Sequence, residues 1–188
     1  MTSNPVIIRR TALAAPVLLL LYGMLRFADG LDGHRGPGLL WNAGHVAFFA
    51  AMALFGVLAA GVREQFPPHH RVATVATGMT FAGVLCFLWV IAGDLSTTLR
   101  HDAPIPDVLE TVGPMLFPLG VLILFGLLVA GRRLPVWTPL LFGAGIAAIT
   151  VDLDLLPFAA LGIFAALTPL QRAAGPHQLR PRAAMVLR

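Results

Sequence analysis

Ionisable side chains are few in this chain, so each one carries information: 12% of the 188 residues are charged and 57% are hydrophobic. His45 stands first among them. It lies within the apolar run Leu39–Val62, six residues and roughly 9 Å of helical rise from its start, with Asn42 one turn away on the same face. Asp94 closes the next apolar run. Asp107 opens the one after that, and Glu110 follows three residues later, so these two carboxylates share a helical face. An imidazole that titrates near neutrality, set beside a carboxylate that stays ionised, makes a general acid/base pair. His45, Asp94, Asp107 and Glu110 are therefore the candidate catalytic residues. Arg26, at the end of the first apolar run, and Asn42 are candidates for gripping a headgroup. Each has a plainer reading. His45 can be a neutral histidine tying two helices, the carboxylates solvated helix ends, Asp107 a helix cap, and Arg26 and Arg100 partners of neighbouring carboxylates.

The elements that would hold these groups are apolar helices. A mean hydropathy of +0.82 exceeds that of a soluble domain, and roughly 20 helical residues cross a bilayer core of about 30 Å. Six runs qualify as transmembrane spans: Thr11–Phe27, Leu39–Val62, Val72–Ile91, Val108–Ala130, Leu134–Val151 and Leu153–Leu170. The last two, divided only by Asp152 to Asp154, are either a hairpin or one kinked helix. The arginines test the count independently, because cytoplasmic loops collect positive charge. With six crossings and a cytoplasmic N-terminus, ten of the 13 arginines fall inside, and eight of the nine carboxylates fall outside with Arg26, Arg35 and Arg100. The expected fold is thus an all-α integral membrane protein of the cell membrane, a six-transmembrane-helix bundle with both termini cytoplasmic. Residues 1–171 form a single domain, and 172–188 a basic tail, disordered on the inner membrane surface. Arg9 and Arg10 before an apolar run resemble a secretory leader, but the run is long, and it reads better as a retained anchor.

Several chemistries are excluded on composition. The basic balance follows from orientation and anionic lipid, so nucleic acid is not expected as a partner; membrane lipid is, as is a membrane protein. The single cysteine, Cys86, leaves no disulfide or cysteine-rich zinc site, and one histidine within the spans cannot clamp a haem. The loop Ala28–His34, with Asp29, Asp32 and His34, lacks the further oxygen ligands of a calcium site. No metal or cofactor is expected. Ser3 and Ser96 stand outside any protease-type serine motif, His69 and His70 mark a solvated turn, and Asp152 and Asp154 mark another. Pro114 and Pro118 predict a kink near the outer end of the fourth span.

Two stretches resemble a known family. The segment Trp41-Asn42-Ala43-Gly44-His45-Val46-Ala47-Phe48-Phe49 is similar to the histidine-bearing second helix of VanZ-like membrane proteins, and Asp94 followed by Asp107-Val108-Leu109-Glu110-Thr111-Val112-Gly113 is similar to the acidic position and aspartate-led helix that come next in that family. The resemblance covers about Leu39–Gly120. It departs where the family's Asp-Lys pair is replaced by Asn42-Ala43-Gly44, its glutamate by Asp94 and its asparagine by Thr111. It implies a small envelope protein of the class associated with reduced susceptibility to lipoglycopeptides such as teicoplanin, without an agreed enzymatic activity. His45, Asp94 and Asp107 would be the matching positions, and the last two spans additions.

Two functions compete on these grounds. In the first, an outward-facing polar cluster binds or modifies a lipid or amphiphile headgroup. In the second, the chain is a non-catalytic accessory or structural subunit of a larger membrane complex, and the polar groups are ties between helices. Proton- or ion-coupled transport ranks below both, because no span carries a charge near its middle.

Overall fold

The computed structural model describes residues 5–31, 33 and 35–172, and among these every regular element is helical. The helices are α1 (Pro5–Asp29), α2 (Leu39–Arg63), α3 (Arg71–Leu95), α4 (Thr97–Asp102), α5 (Asp107–Thr111), α6 (Leu116–Ala130), α7 (Trp137–Val151), α8 (Leu156–Ala166) and α9 (Thr168–Arg172). Four segments are long and apolar enough to cross a membrane: α1, α2, α3 and the stretch Asp107–Ala130. Two shorter apolar helices, Trp137–Val151 and Leu153–Ala166, follow. Large apolar side chains such as Leu85, Leu140, Val151 and Phe158 are more than half exposed around the outside of the bundle. That pattern is costly in water and ordinary against lipid.

The helices stand in a ring: α1 packs on α2, α2 on α3, α3 on α6, α7 on α8, and α8 back on α1, with α6 and α7 touching along the sparsest seam. Lipid tails are as apolar as leucine, so close backbone approach, rather than hydrophobic exclusion, holds such helices together. The α3–α6 crossing shows it. A Cβ at Gly83 would collide with the Phe117 backbone, and one at Gly120 with the Ala76 carbonyl and Thr80. Phe55, Phe117, Phe125 and Phe142 fill the middle of the ring with tilted and edge-to-face contacts at centroid separations of 5.4–6.4 Å. Threonines within the helices return their hydroxyls to backbone carbonyls one turn back, as Thr77 does to Ala73 and Thr80 to Ala76, so no water is needed there.

Polar ties sort the connections into two ends. Arg35, between α1 and α2, bridges Asp154 of the α7–α8 turn at 2.7 Å. At the opposite end Arg133 donates to the Gln65 carbonyl at 2.8 Å, and Gln171 of α9 donates to the Ala12 carbonyl at 3.1 Å. The last two apolar runs form a hairpin, closed by the Asp152 carboxylate accepting from the Asp154 amide.

The structure refines the sequence expectation at four places. The first helix is longer than Thr11–Phe27 and takes in Arg9 and Arg10. The fourth run is not one helix: at Gly113-Pro114-Met115 it passes through a 3-10 turn, because Pro114 supplies no amide to the ladder. The fifth and sixth are shorter than expected. Helix α7 begins at Trp137, and α8 stops at Ala166 before the Thr168-Pro169 step that opens α9. Finally, α4 occupies a stretch read as loop, with the Ser96 hydroxyl accepting from the Leu99 amide as its cap. Asp32, His34 and the tail from residue 173 lie outside the described residues.

Candidate functional site

Helix α2 carries His45 on its inward face, six residues past its first, Leu39, and only 4% of the residue is exposed. Its Nδ1 lies 2.8 Å from the Trp41 carbonyl oxygen. A carbonyl only accepts, so Nδ1 holds the hydrogen and Nε2 is left as the working nitrogen. Nε2 faces Asp94 Oδ2 at 3.6 Å, longer than a hydrogen bond and within ion-pair reach when the imidazole is protonated. The ring is held between Trp41, at a centroid distance of 4.1 Å, and the edge of Tyr22, at 5.5 Å.

Asp94 sits in the last turn of α3. After Leu95 the chain reverses at Ser96 into α4, and that reversal brings Arg100 back onto the Asp94 carboxylate, where the two are paired. The Trp89 indole donates to the Ala103 carbonyl at 3.1 Å and pins the far end of α4 to α3. His45, Asp94 and Arg100 thus form one line from the buried ring to the exposed end of the bundle.

Asp107 and Glu110 enter differently. They line a cavity of about 210 Å³ with Arg100, Trp89, Val90 and Ala103, so Arg100 is the link between them and Asp94. Asp107 is the first residue of α5, but its side chain caps nothing there. Among the described residues neither carboxylate has an ion-pair or hydrogen-bond partner. Glu110 also lines a second, larger cavity of about 420 Å³, walled by Leu19, Tyr22, Phe48, Met52, Phe87 and Ile149 among others.

Arg26 lies one turn beyond Tyr22 on α1, with its positive charge near the phenol. Its Nε is buried without a partner, as are Trp41 Nε1 and Asp29 Oδ2. Asn42, expected to share the surroundings of His45, is exposed on α2. His70 caps α3, its Nδ1 accepting from the Ala73 amide, and is no part of the cluster.

Tyr22 and the 420 Å³ cavity were not anticipated from sequence. The signal for Tyr22 was available: it is the single tyrosine, set in an apolar run four residues before Arg26. The cavity had no such signal, since its walls come from seven separate helices. Among the described residues no group of three or more histidine, cysteine or carboxylate side chains is arranged to hold a metal ion. Comparison with family models, curated proteins and solved structures returns no match.

Proposed function

We propose that this chain is a six-crossing protein of the cell membrane whose outward-facing end binds or modifies the headgroup of a lipid or other amphiphile. The observation that carries this reading is the line His45–Asp94–Arg100, which runs from a buried imidazole of fixed tautomer to the wall of the cavity holding Asp107 and Glu110. An imidazole whose Nε2 faces a carboxylate takes a proton from a bound hydroxyl or ammonium and keeps it between the two groups, which is general-base geometry. Arginine distribution supports the orientation, with the Arg133 end cytoplasmic and the His45 end outside. For six crossings, the hairpin of α7 and α8 spans with its flanking residues, a short pair of the kind a thinned bilayer accommodates. The likeness of Trp41–Phe49 and Asp107–Gly113 to VanZ-like proteins supports an envelope amphiphile as ligand.

The test is native mass spectrometry of protein released from membranes. The wild type should retain an amphiphile, and His45→Ala and Asp94→Asn should lose it while melting within a few degrees of the wild type. Equal retention, or loss of ligand only in proportion to loss of folded protein, would reduce the cluster to a set of helix ties. A stoichiometric protein partner retained in place of an amphiphile would favour the accessory-subunit reading.

A further inference from the structure

Glu110 is an odd residue to find at the rim of an apolar cavity. Of the eighteen residues that wall the 420 Å³ space, Glu110 is the one carboxylic acid side chain, and most of the others are leucine, isoleucine, methionine, phenylalanine or proline. Such a carboxylate is costly beside hydrocarbon unless water or a cation meets it. Among the described residues no cation pairs with it: Arg100 is engaged by Asp94, and neither Glu110 nor Asp107 has an ion-pair partner. Glu110 is also shared between the two cavities, apolar on one side and lined by Asp107, Arg100 and Trp89 on the other.

We propose that the ligand is a cationic amphiphile with a single hydrocarbon chain, the chain lying in the 420 Å³ cavity and its ammonium group meeting Glu110 and Asp107 beside Trp89. This rests on the amphiphile reading above and adds the charge of the headgroup and the place of the tail. The volume is that of a site for one small molecule. Two free carboxylates and the face of an indole are what recognise an alkylammonium, through ion pairing on one side and cation–π attraction on the other. An anionic headgroup in the same place would face both carboxylates with its nearest cation already neutralised.

The probe is a dodecyl-trimethylammonium compound bearing a photoreactive diazirine at the chain end, applied to the full chain in phosphatidylcholine nanodiscs. Saturable adducts are expected on residues of the large cavity such as Phe48, Met52 or Ile149. Dodecylamine should displace the probe at about tenfold lower concentration than dodecanoate or dodecanol, and Glu110→Gln should remove that preference. Ile149→Trp, which fills the cavity, should abolish labelling. Glu110→Gln changes an exposed side chain, so it reads the headgroup contact even if the tryptophan variant does not fold. Saturable labelling displaced equally by amine and carboxylate, or a preference that survives Glu110→Gln, overturns the cationic headgroup and leaves the amphiphile reading standing. No saturable labelling of the cavity by any of these compounds, in protein that melts normally, overturns both.

Discussion

At the end of the bundle that carries the Arg133 turn, α2, α3 and α6 close on residues such as Ala59, Val62, Ala73, Ala76 and Leu128, all almost wholly buried, and the cavity found there amounts to about 10 Å³. At the end that carries Arg35, α3 breaks into α4, the chain breaks again at Gly113-Pro114, and a space of about 420 Å³ opens above Phe55 and Phe117. The same chain packs to completion at one end and stops short at the other. In lipid the difference cannot come from hydrophobic exclusion, which is absent between helices at either end. It comes from side-chain size and from proline. Small residues let backbones touch where stability is made, and interrupted helices hold backbones apart where polar groups collect.

That contrast is best broken at the close crossing first. Gly120→Leu pushes a branched side chain into the Ala76 carbonyl and Thr80, and should cost about 3 kcal/mol in equilibrium unfolding from mixed micelles. A cost near zero would mean that α6 slides freely on α3, and the tight end would then be no more determined than the open one. The open end should respond weakly. In a double-mutant cycle of His45→Ala and Asp94→Ala, the coupling should be about 0.6 kcal/mol, reaching at most about 1.7 kcal/mol. A coupling well above that would make the pair a structural tie and move the cluster into the stabilising part of the molecule. Smallest of all is the surface bridge. Arg35→Ala should change stability by less than about 1 kcal/mol, and the change should fade in high salt, because both partners are at least a third exposed.

Much of this architecture was legible. Long apolar runs placed α1, α2 and α3, and the proline pair foretold the break near Pro114, because the missing amide is a property of the residue itself. His45 and Asp94 were legible as candidates because ionisable groups are rare in such runs, and the structure brings them within 3.6 Å. What resisted reading was distance. The stretch after Ser96 read as loop, and that the chain there returns Arg100 to Asp94 depends on how α4 folds back on α3. Asn42 and His45 are a turn apart in sequence, and their exposure still differs, because Trp41 and Tyr22 close over one and not the other.

By itself, then, the sequence determined which segments must be helical, which turns collect arginine and which few side chains are ionisable, all of them consequences of local composition and helical period. Only the tertiary structure decided that Tyr22, His45, Asp94 and Arg100 form one connected line, that Asp107 and Glu110 stand apart from it on a cavity wall, and that the cavity exists at all. The reason is geometric. A cavity is the space left where seven helices fail to meet, and that is fixed by crossings such as Gly83 on Phe117, between residues 34 positions apart.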